Sequence, residues 1–251
     1  MRPSPSLKLT LRSLRLSGIA ESLDVRLDQA REANLGYLEF LQIILQDEVE
    51  RRHAHAVQRR LKQASFDEQK TIEDFDFMAV PGINPKEIKD LATCLFIERR
   101  EHVLLYGSPG SGKTHLAQAL GNRGCRNNYS VLFITAAKLF RKLCTARLDG
   151  SYEETIKMFL KPSLLIIDDL GLTAFTQEQS EAFYEIVAER HNKGSFVITS
   201  NRPPGDWPGL FPDQVLANSL MDRLAHKAYH IALKPKEDSY RKRGRPQFTC
   251  T

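Results

Sequence analysis

Gly107, Ser108, Pro109, Gly110, Ser111, Gly112, Lys113 and Thr114 are consecutive and fit the pattern G-x-x-x-x-G-K-[ST]. That spacing serves one chemistry. The glycines let successive backbone N–H groups turn inward around a polyphosphate, and the Lys113 ammonium reaches the β and γ oxygens. The Thr114 hydroxyl is a ligand for Mg2+. The helix that follows adds its positive N-terminal end. Residues 102–106, His-Val-Leu-Leu-Tyr, read as a short buried strand entering the loop, and residues 115–120, His-Leu-Ala-Gln-Ala-Leu, as an amphipathic helix leaving it. A merely glycine-rich turn does not account for this strand–loop–helix frame. The segment therefore constrains the chain to an α/β fold of the P-loop type with ATP and Mg2+ as ligands.

The residues downstream extend the frame. Strands are predicted at 103–106, 131–135, 164–168, 196–200 and 229–233, with helical stretches between most of them. Such alternation implies a five-stranded parallel sheet with helices on both faces, whose ligands lie at the carboxyl ends of the strands. Asp168 and Asp169 emerge at such an end after four apolar residues. The first suits a role in holding Mg2+ and the second in orienting an attacking water; a turn cap explains one Asp better than two. Asn201 ends the next strand, where its amide contacts the γ-phosphate or the attacking water, or simply opens a proline-rich turn. Arg223, in Met-Asp-Arg-Leu, is open between a local ion pair with Asp222 or a Glu and an arginine finger reaching the nucleotide of a neighbouring subunit.

A chain of 251 residues accommodates one well-cored domain and a small appendage. The expected division is a helical N-terminal domain over 1–70 that contacts DNA or a partner, an ATPase domain over 71–235, and a basic tail over 236–251. In the first part, Ile19, Leu23, Leu27 and Ala30 fall on one helical face, and a second helix after Gly36 is read with the stripe Leu38, Leu41, Leu45 and Val49. That helix runs into residues 51–62, which hold five formal positive charges and no acid. Arg51, Arg52, Arg59 and Arg60 are candidates for DNA phosphates there; an ordinary solvated face is the equal alternative. His53 and His55, two apart, point to different sides and do not suggest a metal site. Cys94, Cys125, Cys144 and Cys250 lack C-x-x-C spacing, which argues for reduced thiols without zinc or disulfides. The four-residue apolar run 164–167 falls far short of a membrane span. The beginning, Met-Arg-Pro-Ser-Pro, has no apolar signal core, so a cytoplasmic protein with no membrane partner is expected. The net charge of +5 leans toward a polyanion.

The P-loop, Leu-Ile-Ile-Asp168-Asp169-Leu-Gly, Ile-Thr-Ser-Asn201-Arg-Pro and Met-Asp-Arg223-Leu, in this order, resemble the AAA+ ATPases of the initiator and helicase-loader group. Outside them, Leu14-Arg-Leu-Ser-Gly-Ile-Ala20, Tyr37-Leu-Glu-Phe-Leu41, Thr71-Ile-Glu-Asp-Phe-Asp-Phe77, Phe96-Ile-Glu-Arg-Arg-Glu101 and Ser239-Tyr-Arg241 are similar to the IstB-like transposition helper ATPases. The resemblance spans about residues 7–241. It implies ATP on residues 107–114, metal on Thr114 and Asp168, Asp169 in the water-polarising position, Asn201 as first sensor and Arg223 as the trans-acting arginine. It further implies an ATP-dependent homo-oligomer, a head-to-tail ring or open helix, that works on double-stranded DNA and recruits a cognate transposase. A replicative helicase loader shares the same core and is the alternative. Two departures stand out. Asp169 occupies a position where many AAA+ proteins carry Glu, and only 18 residues follow Leu233, so the usual helical lid is expected to be largely absent, with Arg241 the sole candidate for a second sensor.

Two further basic segments bear on DNA. Lys138, Arg141 and Lys142 follow a predicted strand end, where this AAA+ group faces DNA, although an ordinary surface helix explains them too. Arg243-Gly-Arg245-Pro resembles the core of an AT-hook that enters A·T-rich minor grooves; a charged tail is the plainer reading.

Overall fold

The computed structural model describes residues 5–80, 82–225 and 227–234. Five strands form one parallel sheet in the order β2-β3-β4-β1-β5. They are β1 (His102–Gly107), β2 (Val131–Thr135), β3 (Leu164–Leu170), β4 (Ser195–Ser200) and β5 (Ala228–Leu233). All five predicted strands are present, and β3 runs two residues further than expected. The cause of their legibility is burial on both faces: residues 164–167 are wholly buried, so the central strands read as unbroken apolar runs.

Two short helices, α4 (Pro85–Leu91) and α5 (Leu95–Glu98), precede β1, and α6 (Lys113–Arg126) leaves it directly. The later crossovers carry α7 (Ala136–Asp149) and α8 (Tyr152–Leu160), then α9 (Gln177–Arg190), then α10 (Gln214–Ala225). Local chemistry starts these helices. Thr135 caps α7 by accepting from Lys138 N–H at 3.3 Å, and Thr176 and Gln179 form a reciprocal capping box on α9. One face of the sheet is sealed by Phe159, Phe183, Phe196 and Trp207 with the aliphatic residues around them. Arg190 is buried in this layer and, among the described residues, forms no ion pair. Its guanidinium donates to the carbonyls of Phe159, Leu160, Pro162 and Ser195 at 2.7 to 3.1 Å and lies over the Phe196 ring. It thereby satisfies the end of α8, which no intrahelical donor can reach. Burial lowers its pKa to about 10, so it stays charged.

Contacts divide the chain into two units, Met1–Arg59 and Arg60–Thr251. The first consists of α1 (Pro5–Ser13), α2 (Ser17–Glu32) and the first part of α3 (Tyr37–Ala64), around Leu11, Ile19, Leu23 and Ile44. We retain the division at residue 70 as a proposal about function, because α3 reaches Ala64 and the connecting segment follows it. The predicted α2 face is present, but that of α3 is corrected. Leu38, Leu41, Leu45 and Val49 are exposed, and Phe40, Ile44 and Glu48 turn inward. The reason is the start of α2, where Leu16 at the N-cap supplies no side-chain bond. Glu48 supplies it instead, accepting from the Gly18 and Ile19 N–H groups at 2.6 and 3.2 Å and from Arg52 Nε at 2.7 Å. An acidic residue buried for capping is invisible to a search for apolar periodicity. Among the described residues no helix is long and apolar enough to cross a membrane.

Candidate functional site

The loop between β1 and α6 has the geometry that a phosphate cradle requires. Gly107 has φ +148°, and a Cβ there would lie 2.1 Å from the Leu233 carbonyl oxygen. Gly112 has φ +90°, and its Cβ would meet the Phe75 ring at 2.9 Å. Neither position admits another residue. The Lys113 ammonium donates to the Gly107 and Ser108 carbonyls at 3.0 and 2.9 Å. Ser111 Oγ and Asn201 Oδ1 are buried and have no hydrogen-bond partner among the described residues. Polar atoms left this way need something to bind. Of the two, Asn201 lines the cleft beside Lys113 and Thr114.

The carboxylates come together through a break in the sheet. β3 and β4 pair as Ile167 with Ile198 and then Leu170 with Ser200, so Asp168 and Asp169 oppose the single residue Thr199. On a regular strand two neighbours point to opposite faces. Here Asp169 adopts φ +57°, a left-handed conformation that costs about 1 kcal/mol outside glycine. Asp168 stays inside, where Thr114 Oγ1 donates to its two oxygens at 3.0 and 3.1 Å. Asp169 lines a cleft of about 550 Å³ with Gly110, Gly112, Lys113, Thr114, His115 and Asn201. Burial, and then the neighbouring Asp169, raise the Asp168 pKa; hydrogen bonds from Thr199 and Thr114 and the charge of Lys113 oppose the rise. Thr114 and Asp168 together present hard oxygen donors of the kind Mg2+ takes, one or two carboxylates beside substrate phosphates.

Sequence reasoning missed a buried support of this cleft and a part of its lining. Thr199 Oγ1 donates to Asp168 Oδ1 at 2.6 Å and accepts from the Asp169 N–H at 2.8 Å. In Ile-Thr-Ser it reads as ordinary strand filler, and only the bulge gives it a task. Asp67, Glu68 and Lys70 also line the cleft, from the segment after α3. Glu68 N–H donates to Gln118 Oε1 of α6 at 3.3 Å, and Glu68 pairs with Lys70. Nothing in their composition marks them.

Arg223 does not line the cleft. Its guanidinium donates to Ser219 Oγ at 2.5 Å and to the Ser219 carbonyl at 3.1 Å, and it stacks over the Tyr184 ring at 5.1 Å. Among the described residues it forms no ion pair with Asp222 or a Glu. The basic candidates divide. Arg51 pairs with Glu21 and Arg52 with Glu48, whereas Arg59, Arg141 and Lys142 are exposed. Arg60 is half-buried, and Lys138 faces Asp67 at 3.8 Å, a weak contact between exposed groups. Arg241, Arg243 and Arg245 lie outside the described residues.

Comparison with known proteins identifies the family. The family described as IstB-like ATP binding protein matches residues 9–247. A protein of Mycobacterium tuberculosis described as ATP-binding in an insertion sequence is 40% identical over 248 residues, covering 98% of each chain. The ATP-binding protein of insertion sequence IS21 from Pseudomonas aeruginosa is 37% identical over 235 residues, 94% of this chain and 88% of that one. The crystal structure of the DnaC helicase loader superposes with a TM-score of 0.53 over 70% of this chain and 99% of its own, at 20% identity, a likeness of fold alone. With a P-loop on a five-stranded parallel sheet and a family match along almost its whole length, this chain belongs to the IstB-like ATP-binding proteins of insertion sequences.

Proposed function

We propose that the chain hydrolyses ATP as the helper of an insertion-sequence transposase, assembling head to tail on double-stranded DNA and recruiting that transposase in its ATP-bound form. The observation that carries the ATPase reading is the meeting of both carboxylates with the phosphate loop. Asp168 is tied to Thr114, and Asp169 and Asn201 line the cleft that holds Lys113. The matched length of the chain, residues 9–247, favours the transposition helper over a helicase loader.

Each residue then has a task. Residues 107–114 bind the phosphates through backbone N–H groups, and α6 adds its N-terminal dipole. Lys113 exchanges the Gly107 and Ser108 carbonyls for β and γ oxygens. Thr114 and Asp168 would hold Mg2+, which would supply neutralisation of phosphate charge. Asp169 orients the attacking water and accepts its proton, and the Asn201 amide fixes the water or the γ-phosphate from the same cleft. Arg223, held on α10 away from its own chain's cleft, stabilises the γ-phosphate of a neighbouring subunit. A contact made by one subunit's arginine to the next subunit's nucleotide is heterologous, so it closes rings or grows open helices. Arg59, Arg141 and Lys142, the exposed members of the basic set that form no ion pair among the described residues, serve DNA phosphates without sequence preference.

Phosphate release measured with and without duplex DNA and the transposase encoded beside this chain tests the proposal. Stimulation by both is expected. ATP turnover indifferent to DNA and transposase, with capture of a hexameric helicase instead, transfers the chain to the loaders.

A further inference from the structure

We propose that Thr199 is a positioning residue for the phosphoryl-transfer site, its single hydroxyl setting both Asp168 and Asp169. The inference deepens the ATPase reading and rests on it for the roles of the two carboxylates. Thr199 is wholly buried in β4, opposite the two-residue bulge of β3. Its Oγ1 lies 2.8 Å from the Asp169 nitrogen and 2.6 Å from Asp168 Oδ1. A backbone N–H can only donate, so the hydroxyl oxygen accepts that bond. Its own proton is then directed to the carboxylate.

This chain of two bonds has a defined order, backbone N–H to hydroxyl to carboxylate, and each end has a consequence. At one end it holds the Asp169 peptide in the left-handed turn of the bulge, φ +57°, which aims that side chain into the nucleotide cleft. At the other it fixes the Asp168 carboxylate that also accepts from Thr114. Neither Val nor Ala can perform the task, because both lack the oxygen. Ser can, because the hydroxyl alone carries it. The neighbouring hydroxyl does not substitute: Ser200 Oγ is occupied, donating to the Leu170 carbonyl at 2.8 Å and accepting from Arg202 N–H at 3.1 Å.

The test compares Thr199→Val, which keeps the shape, with Thr199→Ser, which keeps the hydroxyl, and follows two readouts in the full-length protein. The first is the tightening by Mg2+ of the binding of a non-hydrolysable ATP analogue, titrated against the same protein in EDTA. The second is steady-state ATP turnover. For Thr199→Val we expect analogue binding in EDTA within about twofold of the parent, a loss of about tenfold in the Mg2+-dependent tightening, and kcat lowered about 100-fold. For Thr199→Ser we expect both readouts within about threefold of the parent. Thr199→Val with parental Mg2+ dependence and kcat overturns the inference, and so does Thr199→Ser as impaired as Thr199→Val, since packing of the methyl group then explains the loss. If Thr199→Val does not fold, the Ser variant and Thr199→Ala are scored by the same two readouts. A parent protein that binds ATP without hydrolysing it refutes the ATPase reading, and the Mg2+ titration still decides the role of Thr199.

Discussion

His102 is a buried side chain outside the cleft whose protonation opposes the fold in acid. It is buried in β1, and its Nδ1 accepts from the Phe196 N–H at 3.2 Å, which requires an unprotonated ring nitrogen. Burial, followed by the charges of Arg190, His191 and Lys227, lowers its pKa from 6.5 to about 4. The unfolded chain therefore takes up a proton at a higher pH than the native protein does. The stabilising contribution is complete above pH 6.5 and is lost as the pH falls toward 4, about 3 kcal/mol in full. Urea denaturation at pH 7 and pH 5 checks this: His102→Gln should flatten the dependence, and an equal slope in the variant would show that other groups dominate. In the nucleotide cleft, Lys113→Ala should abolish ATP binding, read by equilibrium dialysis, because it removes the ammonium of the phosphate loop itself. Retained binding of ATP by that variant would remove Lys113 from the site.

Among the elements, α2 depends on a cap that it does not own. Glu48→Ala leaves the Gly18 and Ile19 N–H groups without their acceptor, and it should destabilise the N-terminal unit by about 2 kcal/mol in thermal or chemical unfolding. Glu48→Gln, which keeps an acceptor oxygen, should cost about half as much. The same residue shows where sequence reading fails. The strands were legible because parallel strands buried on both faces are continuous apolar runs, and the phosphate loop because its backbone demands glycine and lysine at fixed places. Asp168 and Asp169 were legible as a pair. The bulge that unites them was not, since it is made by pairing with Thr199 across two strands. On α3 the more conspicuous stripe, Leu38 to Val49, is the exposed one, because its inward face was chosen by the open end of α2 as well as by apolar packing.

At the level of the whole molecule, the placement of Arg223 decides whether ATP is a ligand of one chain or a joint between two. Ser219 and Tyr184 hold its guanidinium on α10, and it is absent from the lining of its own chain's cleft. An intersubunit role predicts that Arg223→Ala binds ATP as the parent does and fails to hydrolyse it. It further predicts a property that no single-chain account shares, complementation between two inactive variants. Lys113→Ala keeps the arginine and lacks the ammonium; Arg223→Ala keeps the ammonium and lacks the arginine. An equimolar mixture on duplex DNA should recover turnover up to about one quarter of the parental value, the fraction of interfaces that unite an intact loop with an intact arginine when both variants assemble equally. A mixture as inactive as its two components, or full turnover by Arg223→Ala alone, would contradict the account.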